Sequence, residues 1–158
     1  MPSGIVHSRT NAVIALGVLV FYRPIETGML IASGCVLGIF VTPDLDLGET
    51  YSFYLIRRYL GRFPYLLWRA YWRIFCILIP HRHFLSHFPI VSTVFRSIYL
   101  FSPLLAVILA IFPNFSTVNW FFWVFVGMVI VDVVHWAMDH ISTSLKKLSR
   151  SFNVRRVE

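Results

Sequence analysis

The sequence has few charged residues and very few acidic ones. Only 13% of its 158 residues are charged, only seven are aspartate or glutamate, and 58% are hydrophobic. Soluble globular domains carry about 25% charged and about 45–50% apolar residues. This composition excludes an ordinary soluble domain and predicts an integral membrane protein. No linker, low-complexity tract or internal repeat divides the chain, so we expect residues 1–158 to form one domain.

Cysteine is almost absent as well. The two cysteines, Cys35 and Cys76, lie in apolar surroundings and lack CxxC spacing. We therefore expect both to be buried as small hydrophobic residues, rather than to form a disulfide or bind a metal.

Four apolar stretches are candidates for membrane helices. They cover residues 11–22, 27–42, 97–113 and 118–140. The last two approach the ~20 residues that a helix needs to cross about 30 Å of hydrocarbon. The first two are shorter and rich in glycine, and Gly34 and Gly38 share a face that lets helices pack closely as a hairpin, which either crosses the membrane or dips in and returns. The pattern predicts an all-α bundle of about four membrane helices.

Residues 51–73 have a different pattern, in which arginines alternate with tyrosine, tryptophan, phenylalanine and leucine. The arginines are Arg57, Arg58, Arg62, Arg69 and Arg73. This pattern is typical of an amphipathic segment that lies at the lipid headgroups, and the alternative is a topology signal alone. The net charge of +7 does not indicate nucleic-acid binding, because the basic residues are interleaved with large apolar ones. The expected partner is the lipid bilayer.

The basic residues also orient the chain. Most of them lie in residues 57–82 and in the tail, residues 146–156. The positive-inside rule puts both regions on the cytoplasmic side, and both termini are cytoplasmic if the first hairpin crosses twice. On that topology, the segments that carry histidine and aspartate all reach the cytoplasmic face of the membrane.

Histidine and aspartate occur in four clusters at the ends of the apolar stretches, and all ten residues are candidate metal ligands. The clusters are His7; Asp44 and Asp46; His81, His83 and His87; and Asp132, His135, Asp139 and His140. Imidazole nitrogen and carboxylate oxygen are ligands of zinc and of harder cations. Alone, His7 is also typical of a protein surface, and the two aspartates after Pro43 are typical of a turn and a helix cap.

The third cluster is the most specific. His83 and His87 are four residues apart, so a helix would present both imidazoles to one metal. His81 would bind from the entry to that helix or support the other ligands. Arg82 and Ser86 are candidates for holding an anionic oxygen.

The fourth cluster lies at the end of the last apolar stretch. On a helix, Asp132, His135 and Asp139 share one narrow face, and His140 points to its side. Carboxylates near the end of a membrane helix are costly unless they face the bundle interior and are paired or metal-bound. The spacing predicts a metal site, and the alternative is a charged pair that joins helices.

The order of these motifs resembles a known family. An N-terminal histidine is followed by Pro-Asp-Leu-Asp, then His-Arg-His-x-x-Ser-His, then Asp-x-x-His-x-x-x-Asp-His. The order resembles uncharacterised metal-binding membrane proteins, found mainly in bacteria, that are related to membrane-bound metal-dependent hydrolases. Their ligand pattern is similar to that of zinc-dependent phospholipase C and of single-strand nucleases of the same all-helical fold. The resemblance implies a metal site in the bacterial inner membrane.

The resemblance also implies hydrolysis of a phosphoester or lipid-type substrate at the cytoplasmic membrane face. One or two divalent ions are expected, zinc first and Mn²⁺ or Fe²⁺ as alternatives. The ion would lower the pKa of bound water, Asp46 or Asp132 would take the proton, and Arg82 would stabilise the developing negative charge. Unlike the soluble enzymes, this chain has no glutamate after its last histidines, so an aspartate would replace it. The alternative is a non-enzymatic metal-binding membrane protein for ion handling, sensing or assembly. The oligomeric state is not predicted.

Overall fold

The computed structural model describes residues 4–47, 50–79, 88–111 and 118–154, which are helical almost throughout and contain no strand. We number the helices α1 (Gly4–Phe21), α2 (Ile25–Phe40), α3 (Tyr51–Tyr59), α4 (Arg62–Leu78), α5 (Pro89–Ile111) and α6 (Val118–Val154), with a short 3-10 helix, η1 (Pro43–Leu47), after α2. The predicted all-α fold is confirmed.

Within the described residues, four segments are long and apolar enough to cross a membrane. They are Gly4–Phe21, Ile25–Leu45, Pro89–Ile111 and Asn119–Ser149. These segments contain the apolar parts of the four predicted membrane helices. Their length and hydropathy fit a membrane protein.

The first half of α5 buries polar side chains, and the helix exposes many of its apolar ones. Its buried residues are Ser92, Thr93, Arg96 and Ser97. Its large exposed side chains include Ile98, Val107 and Ile111, each more than half exposed. A helix in water would expose its polar side chains and bury its apolar ones. Lipid instead solvates apolar side chains, so the polar ones pair with each other inside the bundle. The arrangement therefore agrees with a membrane environment.

Three of the apolar helices extend well beyond the predicted apolar stretches. α1 begins at Gly4 rather than near residue 11, α5 begins at Pro89 rather than near residue 97, and α6 continues to Val154 rather than ending near residue 140. Hydropathy marks the apolar part of a helix, whereas the helix itself continues until its backbone is interrupted. Proline is favoured at the first helical position, and neither proline nor glycine occurs between residues 128 and 154.

The glycines of α2 permit a close crossing with α6. A Cβ atom at Gly34 would overlap the carbonyl of Val124, and one at Gly127 would overlap the carbonyl of Ile31. We expected Gly34 to serve the hairpin of α1 and α2, but the structure turns it toward α6. The reason is that Gly127 supplies a second residue without a side chain at the same point, so the two backbones can approach.

Gly34→Ala is expected to destabilise the bundle by about 1–3 kcal/mol, because α2 and α6 must move apart to accommodate the new methyl group. The matched control is Gly17→Ala in α1, where no atom lies within 4 Å of the added Cβ. The free energy of unfolding in detergent micelles measures both. Equal effects of the two substitutions would contradict a tight crossing at Gly34.

α3 and α4 pack against the end of α2. Gly61 separates them with φ of 90°, a backbone conformation that glycine adopts readily. Phe53 of α3 and Trp72 of α4 are buried in one apolar cluster with Val41 and Leu45. α3 and α4 therefore lie at the end of the bundle where α2 leads into η1.

Neither cysteine forms a disulfide, and the predicted burial holds for Cys35 but only in part for Cys76. Cys35 is buried where α2 crosses α6, and its Sγ donates to the Gly127 carbonyl oxygen at 3.5 Å. Cys76 is partly buried, with its Sγ 3.9 Å from the Leu45 carbonyl oxygen. Each cysteine therefore packs as a small side chain between helices.

Candidate metal centre

The start of α1, the end of α2 and the second half of α6 meet at one end of the bundle. α1 and α2 are neighbours joined by a short turn, so the first residues of α1 lie beside the last residues of α2. α6 passes α2 at Gly127, and its following turns continue toward the same end. His7, Asp44, His135 and Asp139 are brought together there.

The side-chain nitrogen and oxygen atoms of these four residues lie close to one another. The His7 Nε2 to Asp139 Oδ1 distance is 3.4 Å. His135 Nε2 lies 3.4 Å from Asp139 Oδ2 and 3.5 Å from Asp44 Oδ2. Four ligand atoms placed tetrahedrally about 2.0–2.1 Å from a zinc ion are about 3.3–3.4 Å apart. The observed separations therefore match those of a small divalent metal site.

The two histidine rings stack on each other. The ring centroids of His7 and His135 are 3.8 Å apart, with 25° between the planes. His7 is 4% exposed and His135 6% exposed. The stack therefore holds two buried imidazole rings, which are common metal ligands, side by side at this end of the bundle.

Two atoms of the cluster are buried without a hydrogen-bond partner among the described residues. They are His7 Nδ1 and Asp139 Oδ1. The approach of His7 Nε2 to that oxygen is too long or poorly directed to count as a hydrogen bond. An unsatisfied buried polar atom costs about 1–3 kcal/mol, and a cation satisfies a carboxylate oxygen directly. His7, His135 and Asp139, whose ligand atoms all lie within 4.8 Å of one another, therefore fit a divalent cation.

A cavity of about 410 Å³ adjoins the cluster. His7, Asp44 and His135 form part of its wall. Hydroxyl side chains form much of the rest, from Ser8, Thr42, Thr50, Tyr51, Ser52 and Tyr54. This volume lies in the range of small-molecule sites. A metal at the cluster would thus have a ligand-sized space next to it, with a mainly apolar wall that also carries hydroxyl groups.

Asp132, one turn before His135, belongs to a separate buried network. Its Oδ2 accepts hydrogen bonds from Arg96 Nη2 at 2.5 Å and from the Thr93 hydroxyl. Arg96 Nη1 also donates to the Val41 carbonyl oxygen at 2.8 Å. Arg96 therefore joins α5 to α6 and to the end of α2. Asp132 is the residue of α6 that Arg96 contacts at this junction.

Arg96 was not among the predicted site residues. The signal that could have revealed it is its position, since it is the one charged residue in the 23-residue helix α5. A charged side chain inside a membrane helix requires a buried partner, and Asp132 is the carboxylate at a similar depth in α6. We had predicted Asp132 as a metal ligand and a proton acceptor, and its pairing favours a structural role.

The remaining predicted residues are not part of the described cluster. His140 is exposed, stacks on Trp136 and lies 3.1 Å from the Trp136 carbonyl oxygen through its Nδ1. Asp46 lies on η1, and its side chain is outside the described part of the structure. The predicted ligands His81, His83 and His87, with Arg82, also lie outside the described residues. Their roles stay predictions.

Comparison with known proteins agrees with the geometry of this cluster. No curated protein and no solved structure matches the chain. A family model described as "uncharacterized metal-binding protein (DUF2227)" matches residues 2–149, which include all ten predicted ligands. The chain therefore belongs to this family of uncharacterised metal-binding proteins.

Proposed function

We propose that this membrane protein holds a divalent metal, zinc first, at His7, His135 and Asp139, with Asp44 beside them, and that the centre hydrolyses a phosphoester or lipid-type substrate at the membrane face. The observation that carries the proposal is the position of these side chains beside a ligand-sized cavity at one end of the bundle. A transport pathway would instead spread its ligands through the depth of the membrane.

The number of protein ligands supports a catalytic centre over a closed structural one. Catalytic zinc sites use three protein ligands and leave a position for water or substrate, whereas structural sites are closed by four. Among the described residues, His7, His135 and Asp139 have ligand atoms that all lie within 4.8 Å of one another. His7 and His135 also line the cavity. A second ion, if bound, would draw on the predicted ligands in residues 81–87.

The roles of the protein groups follow from their positions. A divalent ion supplies Lewis-acid chemistry when it is bound. His7 and His135 hold their rings parallel by stacking, and this fixes the direction of their nitrogens. Asp44 is about one-third exposed and lines the cavity, so it is the carboxylate placed to take a proton from water during hydrolysis. Tyr54 is 53% exposed and lines the same cavity, so its hydroxyl can bind a substrate oxygen.

Zinc-loaded full-length protein in nanodiscs is expected to release phosphate or a headgroup from at least one of a panel of phospholipids, lipid phosphates and soluble phosphoesters. Asp44→Asn should lower kcat by at least about 100-fold, because a general base contributes 10²–10⁴-fold. The control is Glu26→Gln, the same chemical change at an exposed carboxylate at the start of α2.

Metal content is measured on the same samples. Metal-loaded protein that turns over no member of the panel would support the non-enzymatic alternative, in which the chain binds a metal for ion handling, sensing or assembly. A turnover that survives Asp44→Asn unchanged would remove the proposed role of Asp44.

A further inference from the structure

Two arginines from different helices meet at one tyrosine on the surface of the protein. The guanidinium carbon of Arg57, in α3, lies 5.7 Å from the centre of the Tyr65 ring. Arg69, in α4, donates from Nη1 to the Tyr65 hydroxyl oxygen at 3.2 Å. Tyr65 thus has one guanidinium over its ring and another at its hydroxyl, and both arginines are exposed.

Neither arginine is paired with a carboxylate of the described residues. The sequence contains no acidic residue between Glu49 and Asp132. Like charges repel, so an anion that contacts both guanidinium groups would stabilise the arrangement. Guanidinium groups bind phosphate oxygens with directed, charge-assisted hydrogen bonds.

The surface around the arginines indicates where such an anion comes from. Tyr59, Phe63 and Leu67 are 74%, 71% and 57% exposed. Large apolar side chains next to guanidinium groups are typical of a helix at the boundary between headgroups and acyl chains. A soluble phosphate has no apolar surface to pack against these side chains, whereas a phospholipid has both a phosphate and hydrocarbon chains.

We propose that Arg57, Tyr65 and Arg69 form a binding site for the headgroup phosphate of an anionic phospholipid. A zwitterionic lipid is disfavoured, because its own ammonium group cancels the phosphate charge that two arginines require. This site goes beyond the metal-dependent function and does not depend on it. α3 also forms part of the wall of the metal cavity through Tyr51, Ser52 and Tyr54, so a bound headgroup lies on the helix that borders the candidate metal centre.

Native mass spectrometry of the full-length, delipidated protein with an equimolar mixture of phosphatidylglycerol and phosphatidylcholine tests the site. Preferential retention of phosphatidylglycerol is expected. Arg57→Gln/Arg69→Gln should weaken that binding by about 25-fold, since each arginine near an anionic lipid contributes about fivefold. The matched control is Arg58→Gln/Arg73→Gln, which removes the same charge from exposed positions of the same two helices and should weaken binding by less than about threefold.

Tyr65→Phe keeps both charges and removes only the hydroxyl that Arg69 contacts. It should weaken phosphatidylglycerol binding by about tenfold, the loss expected for one hydrogen bond to a charged group. Metal content should equal that of the wild type in all these variants, which separates this site from the metal centre.

Three results would overturn the proposal. One is equal retention of the two lipids by the wild type. Another is an equal loss in the two double variants, which would indicate a diffuse basic surface. The third is displacement of phosphatidylglycerol by millimolar inorganic phosphate, which would reassign the arginines to a soluble anion.

Discussion

Replacing both His7 and His135 by alanine is expected to remove at least one equivalent of divalent metal from the purified protein. The wild type should contain about one equivalent of divalent metal, or about two if the ligands of residues 81–87 hold a second ion. The double variant removes two of the three groups whose ligand atoms lie within 4.8 Å of one another, so at least one equivalent should be lost. Elemental analysis in detergent measures the difference.

The control for this experiment is His140→Ala. His140 lies five residues after His135 on the same helix, but it is exposed and packs on Trp136. Its removal should leave the metal content unchanged. Helical content must be equal in all the samples, because His7 and His135 are buried and their loss also affects packing. Wild-type metal content in the double variant would remove these residues from the metal centre.

Arg96→Met is expected to destabilise the protein by about 3–5 kcal/mol. Arg96 is 1% exposed and Asp132 3% exposed, and their side chains are joined at 2.5 Å. Removing the arginine alone leaves a carboxylate buried without its counter-charge, which is the costly way to break a buried ion pair. Denaturant unfolding in micelles measures the change in free energy.

A second substitution separates the cost of the stranded charge from the value of the pair. Arg96→Met/Asp132→Leu removes both charges and should recover most of the lost stability, because apolar replacements of buried pairs are often neutral. Although its stability recovers, the double variant should bind metal about 10–100-fold more weakly than the wild type, which is the usual effect of losing groups that orient ligands. The reason is that Arg96 holds the Val41 carbonyl, three residues before Asp44.

The two measurements on this pair have clear contrary outcomes. If the double variant is as unstable as Arg96→Met, then the pair contributes much more than charge balance. If its metal affinity equals that of the wild type, then Arg96 does not position the ligands. Arg96→Lys is a useful intermediate, because a lysine keeps the charge but cannot direct separate nitrogens to Asp132 and to Val41.

The sequence predicted a set of candidate ligands, but not which of them the fold brings together. No other histidine or acidic residue lies near His7 in the sequence, and its burial, its approach to Asp139 and its stacking on His135 became visible only in the structure. The spacing of Asp132, His135 and Asp139 is the same whether all three bind one metal or Asp132 pairs with another group. Asp132 is paired with Arg96, which approaches from another helix. Helical periodicity describes one helix at a time, so it cannot identify such a partner.

The sequence by itself determined the all-helical fold, the four apolar helices and the family. Hydropathy and length fix these features because every residue of a membrane helix must satisfy its backbone within that helix and face lipid or protein. The tertiary structure decided the close crossing of α2 and α6 at Gly34 and Gly127, the pairing of Asp132 with Arg96, and the convergence of two arginines on Tyr65. The first two depend on distances between residues remote in sequence, and the third depends on how α3 packs against α4. Only the packing of the helices sets these distances.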